Sequence, residues 1–142
     1  MNRTILVPVD GSDESYAGLE YALDTYSEAQ IIAFHAVLPT NLEPESLDAT
    51  TYDWDEYMSS QEQRATEILA DAESLAENYN QSIASELWIG TPAKAIIEFA
   101  SQSDIDHIII GSRGVHKAET PALGSVAETV LHRSPVLVTI IR

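Results

Sequence analysis

The sequence predicts an α/β fold, in which five strands alternate with four helices in a doubly wound, mostly parallel sheet. Short apolar runs recur along the chain, and each of the first four is followed by a segment whose apolar residues repeat at helical spacing. Glycine, proline, aspartate and serine separate many of these segments. Strands that alternate with helices form parallel sheets with right-handed crossovers. With 142 residues, 44% of them hydrophobic, we expect one domain, 1–142, with a sizeable core.

The predicted strands differ in their apolar content. The run 4–9 is β-branched, and the three isoleucines at 108–110 suit a strand that is buried on both faces. The run 82–89 alternates more strongly and contains Glu86, which indicates a strand at a sheet edge. A lone histidine inside an apolar run, such as His35, is typical of a packed core residue with its hydrogen bonds satisfied. The predicted strands are 4–9, 31–37, 82–89, 106–110 and 136–141.

Four segments have the spacing of a helix with one buried face. The first follows a turn at 10–12 and begins with acidic residues. The second has an apolar stripe over 58–79, which predicts the longest helix of the protein. The third begins where Thr91 can cap it and Pro92 fits its first position. The stripe of the fourth helix consists of Val126, Ala127, Val130 and Leu131.

Residues 39–56 interrupt this alternation. They are rich in acidic residues, include two prolines and show no sustained period, so they predict a long surface loop or flap. Long loops in compact domains are often functional. A solvated acidic excursion explains the composition equally well, and the sequence leaves both interpretations open.

The composition limits the classes of function. The chain has 23 acidic and 7 basic residues, and its net charge of −16 disfavours nucleic acid and anionic membranes as partners. An acidic surface of this kind is tolerated where salt screens its self-repulsion, so we hypothesise a halophilic source, with an acidic mesophilic protein as the alternative. Cysteine is absent, which excludes disulfides, thiolate chemistry and zinc bound by cysteine. No His/Asp cluster predicts a metal site.

The location of the protein is predicted from what the sequence lacks. Its N-terminus enters directly into an apolar strand without the architecture of a signal peptide. No run approaches the 18 apolar residues of a membrane-spanning helix. We therefore expect a soluble cytoplasmic protein.

A glycine-punctuated loop joins the fourth strand to the fourth helix. Gly111 and Gly114 permit positive φ and close backbone approach, so that their N–H groups can converge on a ligand. Gly124 and Ser125 open the next helix, and a helix N-terminus with an added hydroxyl is suited to phosphate. Any one of these glycines, taken alone, is equally typical of an ordinary turn or helix cap.

The spacing of these residues, GxxG followed by nine residues and then GS, resembles that of the ATP-binding members of the universal stress protein family. The resemblance covers nearly the whole chain, from the segment 5–12 to the final strand. It implies a Rossmann-like sheet with strand order 3-2-1-4-5, of the type seen in adenine nucleotide alpha hydrolase-like proteins. In that order the ends of the first and fourth strands are adjacent at a topological switch point, where Asp10 and Gly111 would meet.

The resemblance also implies a set of nucleotide-binding residues. The backbone around Pro8 and Asp10 would face the nucleoside, and the Asp10 carboxylate would serve ribose, adenine or a bridging cation, with capping of the first helix as its alternative role. Ala36, which follows His35, would contact adenine through its backbone. The residues expected to hold ribose and phosphates are Gly111, Arg113, Gly114, Gly124, Ser125 and Val126. The implied cofactor is ATP or another adenine nucleotide with Mg²⁺.

Three functions are compatible with these patterns. The first is a regulatory stress-response module that binds ATP, and the second is a dimeric interaction scaffold of the same fold that binds no nucleotide. The third is a slow ATPase, but the sequence contains no GxxxxGK[ST] loop and no constellation to which a catalytic role can be assigned. The apolar strand 136–141 would lie at a sheet edge, which predicts a homodimer paired through that strand, as the resemblance also implies.

Overall fold

The computed structural model describes residues 3–38, 54–113 and 123–142. Strands and helices alternate as predicted, and the strand ends agree with the predicted ones to within two residues. The elements are β1 (Thr4–Pro8), α1 (Asp13–Thr25), β2 (Gln30–Val37), α2 (Trp54–Asn78), β3 (Ala84–Ile89), α3 (Pro92–Gln102), β4 (His107–Gly111), α4 (Ser125–Arg133) and β5 (Leu137–Ile141).

The five strands form one parallel sheet in the order β3-β2-β1-β4-β5. β1 lies at the centre, where Ile5 pairs with Ile31 of β2 on one side and with His107 of β4 on the other. The predicted strand order and the predicted edge position of the third strand are both confirmed. The fold is the Rossmann-like α/β arrangement expected from the sequence.

A hydrophobic core lies on each face of the sheet, because successive side chains of a strand point to opposite faces. Ile5, Val7 and Ile109 belong to the core that includes side chains of α1 and α2. Leu6 and Ile108 belong to the core that includes side chains of α3 and α4. β1 and β4 are therefore covered on both faces, as their continuous apolar runs predicted.

The longest helix is α2, with 25 residues, as the apolar stripe predicted. It begins at Trp54, so the prediction that the loop continues to residue 56 is wrong at its end. Asp55 and Glu56 lie in the first helical turn, where negative charge interacts favourably with the exposed N–H groups. Residues 39–53, which make up the rest of the predicted loop, lie outside the described residues. Within the described ranges no helix combines the length and apolar character needed to cross a membrane.

The expectations for the start of α3 are confirmed, and one expectation for α4 is wrong. Thr91 is the N-cap of α3 and Pro92 follows in the first turn, as predicted, although the Thr91 hydroxyl makes no capping hydrogen bond. Leu131 was expected in the buried stripe of α4, yet 45% of it is exposed. α4 has only nine residues, and its buried residues are Ala127 and Val130.

Both edge strands carry exposed apolar side chains. Ile89 at the end of β3 is 58% exposed, and Leu137 at the start of β5 is 64% exposed. An apolar side chain on an unpaired edge favours contact with another chain.

Candidate functional site

The carboxyl ends of β1 and β4 lie side by side at the centre of the sheet, next to the first turn of α1. The chain leaves β1 toward β2 and β3 on one side and returns to form β4 and β5 on the other, which makes this place a topological switch point. The backbone N–H of Asp10, just after β1, donates to Ser15 Oγ at 3.3 Å. Gly111, at the end of β4, packs against the same turn of α1.

The turn between β1 and α1 fixes the position of Asp10. Gly11 has a φ of 87°, a conformation that favours glycine. The Oδ1 atom of Asp10 accepts a hydrogen bond of 2.9 Å from the N–H of Ser12, and Ser12 Oγ accepts one of 3.2 Å from the N–H of Ser15. Ser12 is thus the N-cap of α1, and Asp10 supports the cap residue instead of capping the helix itself.

Gly111 is required for a reason that the sequence interpretation missed. Among the described glycines only Gly11 and Gly90 have positive φ, so Gly111 does not use the positive φ that glycine permits. A Cβ atom at position 111 would lie 2.9 Å from the carbonyl carbon and oxygen of Glu14 and 3.1 Å from the backbone nitrogen of Ser15. The close backbone approach predicted at this glycine exists, and its partner is the first turn of α1.

Glu14, which the sequence interpretation treated only as an acid of the first helical turn, is at the centre of the site. Its Oε2 atom accepts hydrogen bonds from Ser112 Oγ at 2.9 Å and from the backbone N–H of Arg113 at 2.8 Å. Its Oε1 atom lies 3.1 Å from a guanidinium nitrogen of Arg113. The side chain of Glu14 is 13% exposed and that of Arg113 is 30% exposed. One carboxylate therefore holds three donors at the start of the glycine loop.

The N-terminus of α4 is tied to the end of β4 through Ser112. The N–H of Ser112 donates to Ile141 O of β5 at 2.7 Å, and Ser112 O accepts from the N–H of Gly124 at 2.6 Å. Gly124 is the N-cap of α4 with a φ of −66°, and having no side chain it makes no side-chain capping hydrogen bond. Ser125 is exposed and Val126 is half-buried. Gly114 lies outside the described residues.

The backbone of β2 extends past the end of β1 on the other side of the site. Phe34, the partner of Pro8, accepts a hydrogen bond from Val9 on the β1 side, whereas Val37 O accepts one from Gly90 on the β3 side. Because backbone groups alternate in direction along a strand, those of Ala36 point to the β1 side, beyond the last paired residue of β1.

His35 joins the two strands at this point. Its Nδ1 atom lies 2.7 Å from Val9 O. A carbonyl oxygen only accepts hydrogen bonds, so Nδ1 carries the proton in this contact. His35 is half-buried and hydrogen-bonded, in agreement with the interpretation of a packed residue with a satisfied partner.

Tyr16 lies close enough to Asp10 to be influenced by its charge. Burial raises the pKa of Tyr16 above its ordinary value, and the charges of Asp71 and Asp10 raise it further, with Arg64 acting in the opposite direction. The Tyr16 hydroxyl stays protonated and donates to Ile68 O at 3.2 Å. Groups of three or more acidic or histidine side chains that could hold a metal ion are absent from the described residues.

A sequence model of the universal stress protein family matches residues 1–142. The chain belongs to the universal stress protein family. The resemblance inferred from the glycine spacing is thereby confirmed. A universal stress protein of Methanocaldococcus jannaschii is 31% identical over 140 residues, which cover 96% of this chain and 81% of that protein.

Solved structures of universal stress proteins share the fold. The UspA protein from Lactobacillus plantarum superposes with a TM-score of 0.82 at 25% identity, and the match covers 99% of this chain and 97% of that one. A universal stress protein in complex with cAMP superposes with a TM-score of 0.71 at 26% identity, again over 99% of this chain and 97% of that one.

The predicted site residues of this universal stress protein fall into two groups. Contacts through α1 and Ser112 connect Asp10, Gly111, Arg113 and Gly124, and the last of these leads into Ser125 and Val126. Pro8 and Ala36 belong to the neighbouring strands β1 and β2. The one feature of the sequence that pointed to a role for Glu14 was its place in the first helical turn after β1. The strand order puts the end of β4 beside the end of β1, and therefore close to this turn.

Proposed function

We propose that this universal stress protein binds ATP or a related adenine nucleotide with Mg²⁺ and acts as a cytoplasmic regulatory module of the stress response. The observation that carries the proposal is the 2.6 Å hydrogen bond from the Gly124 N–H to Ser112 O, which holds the N-terminus of α4 beside the end of β4. The N–H groups of a helix N-terminus form a ready site for phosphate. The relative in complex with cAMP, 26% identical to this chain, supports the choice of an adenine nucleotide.

The nucleoside would lie between the ends of β1 and β2. The backbone N–H and C=O of Ala36 point toward this space, which suits hydrogen bonding to the edge of adenine. The Asp10 carboxylate, half-buried at the end of β1 and close to Pro8, would accept hydrogen bonds from ribose. These groups supply both donors and acceptors, as recognition of a neutral nucleoside requires.

The phosphates would lie against the glycine loop. The backbone at Gly111 and Gly114 would approach the phosphates closely, and the guanidinium of Arg113, which lies between these glycines in the chain, would add positive charge. The first N–H groups of a helix have no acceptor within the helix. The N–H groups at the start of α4 that would donate to phosphate oxygens in this way are those of Ser125 and Val126. The N–H of Gly124 already donates to Ser112 O, so Gly124 would contribute by leaving room for the phosphate.

Mg²⁺ would be bound jointly by the phosphates and by Asp10. This cation prefers oxygen ligands, keeps several waters and is commonly held by one or two carboxylates together with substrate phosphates. Asp10 offers one such carboxylate at the proposed site. The cation would neutralise phosphate charge on an acidic protein.

The proposal is tested at Gly124. A valine side chain there would intrude on the phosphate position, so Gly124→Val should abolish ATP binding in calorimetric titration with Mg²⁺ and high salt while the circular dichroism spectrum stays close to wild type. Ser125→Ala is the matched control, because it removes one hydroxyl, keeps the N–H groups and should weaken binding by about 1 kcal/mol. Equal ATP binding by wild type and Gly124→Val would exclude this loop as the phosphate site. Nucleotide analysis of protein denatured directly after purification would identify the ligand.

The exposed edge of β5 supports a second part of the proposal, a homodimer paired through residues 136–141. Leu137 is 64% exposed at this edge, and burial of such a side chain favours association.

If wild type binds no adenine nucleotide, the dimeric scaffold becomes the preferred function. The slow ATPase would be supported if an activity that releases phosphate over many turnovers copurified with the protein and were lost in Asp10→Ala.

A further inference from the structure

The Glu14 carboxylate occupies the positively charged end of the proposed phosphate site. It accepts hydrogen bonds from Ser112 Oγ at 2.9 Å and from the Arg113 N–H at 2.8 Å, and it forms an ion pair with the Arg113 guanidinium at 3.1 Å. A hydroxyl, a backbone N–H and a guanidinium are the donors that proteins use to bind a phosphate group. Here the carboxylate of Glu14 contacts all three donors.

The backbone around this carboxylate is firmly held. Gly111 packs against the carbonyl group of Glu14 so closely that a Cβ atom would lie 2.9 Å from it. Both backbone groups of Ser112 are hydrogen-bonded, one to Ile141 and the other to Gly124. Because the side chain of Glu14 is only 13% exposed, solvent screens its charge less than that of a surface acid. A ligand at Arg113 would therefore either displace Glu14 or lie beside a fixed negative charge.

We propose that Glu14 is a built-in anionic competitor that sets the selectivity of the site among adenine ligands according to their phosphate charge. This inference rests on the proposed function. Each added phosphate brings more negative charge toward Arg113. It is repelled by the Glu14 carboxylate, and it must compete with that carboxylate for the donors of Ser112 and Arg113. Glu14 thus disfavours ATP relative to AMP and adenosine, and it acts on selectivity without contact with the adenine end of the site.

The experiment compares wild type with Glu14→Gln in calorimetric titrations of adenosine, AMP and ATP at fixed high salt without Mg²⁺. Glutamine keeps an oxygen that accepts hydrogen bonds from Ser112 and Arg113, so the loop stays supported while the charge is removed. We expect ATP to bind about tenfold more tightly to the variant, AMP to gain less, and adenosine to change less than about twofold. Asp13→Asn is the matched control, because it removes the same charge from the same helical turn at an exposed residue and should change all three affinities by less than about threefold.

A second variant tests the hold on Arg113 itself. If Glu14 already occupies the guanidinium, Arg113→Gln should cost wild type less than about threefold in ATP affinity and should cost the Glu14→Gln protein about tenfold. If Glu14→Gln fails to fold, the effect of Arg113→Gln on the wild-type protein decides the question. A loss of ATP affinity well above tenfold would show that Arg113 binds ATP without competition from Glu14.

The outcomes separate this inference from the proposed function. Binding of AMP or ATP by wild type, together with tighter ATP binding by Glu14→Gln, would support both. Equal or weaker ATP binding by Glu14→Gln, or an equal gain for adenosine, would overturn the inference and leave the proposed function standing; Glu14 would then only position the loop. Failure of all three ligands to bind either protein, both without Mg²⁺ and after Mg²⁺ is added, would reject the proposed function and the inference with it.

Discussion

Replacing Gly111 with alanine is expected to destabilise the protein because α1 and β4 touch through their backbones at this position. The added Cβ atom would lie 2.9 Å from the carbonyl carbon and oxygen of Glu14. Carbon atoms in unstrained contact are about 3.5 Å apart or more, so α1 would have to move by about 0.6 Å. The neighbouring atoms are helix backbone and cannot rotate away, and overpacking of this kind costs about 1–3 kcal/mol of unfolding free energy.

Gly18 provides a matched substitution at the same contact between α1 and β4. A Cβ atom there would lie 3.8 Å from Gly111 N and from Ile109 Cγ2, which is ordinary van der Waals contact. Alanine within a helix is favoured over glycine by about 0.5–1 kcal/mol. Gly18→Ala should therefore stabilise the protein, and the two alanines should have effects of opposite sign.

Urea unfolding followed by circular dichroism in molar salt measures both effects. With an m value of about 2 kcal/mol per molar urea, Gly111→Ala should lower the midpoint by about 0.5–1.5 M and Gly18→Ala should raise it by about 0.3–0.5 M. An unchanged or higher midpoint for Gly111→Ala would refute the account of the close contact. An equal loss in both variants would show that the whole interface, and not position 111, resists an added methyl group.

Three further outcomes are expected. Burial, with a smaller contribution from the positive charge of Arg3, lowers the pKa of His107 below its ordinary 6.5, so the unfolded chain binds a proton at a higher pH than the folded one. The contribution of His107 to stability is therefore complete above pH 6.5 and is lost as the pH falls toward the lowered pKa. In urea unfolding, the loss of stability between about pH 7.5 and pH 5.5 should be smaller in His107→Phe and should persist in a variant of the exposed His132. Leu137→Glu should convert a dimer to a monomer by light scattering in high salt, whereas a monomeric wild type at micromolar concentration would contradict the proposed pairing through β5. The melting temperature should rise from dilute buffer to molar salt if screening of the net charge of −16 stabilises the fold, and equal values would refute the halophilic hypothesis.

The order and type of the elements were determined by the sequence itself, because they depend on local periodicity. The isoleucines at 108–110 predicted a strand buried on both faces, and the stripe over 58–79 predicted the longest helix; both predictions are confirmed. The errors concern the start of one helix and the exposure of one side chain. Residues 54–56, which suited a loop, form the start of α2, and Leu131 is 45% exposed on a nine-residue helix whose buried residues are Ala127 and Val130.

The glycine spacing was sufficient to predict the family, but not the contacts between Glu14 and Arg113. Glu14 and the Arg113 N–H are 99 residues apart in the chain, and nothing in the local sequence distinguishes Glu14 from the other acids that could pair with Arg113. The requirement for glycine at position 111 likewise depends on how closely α1 approaches β4. Periodicity records which side of an element is apolar. The partner of a single polar side chain is decided only when the strand order brings β1 beside β4 and seats the first turn of α1 against the end of β4.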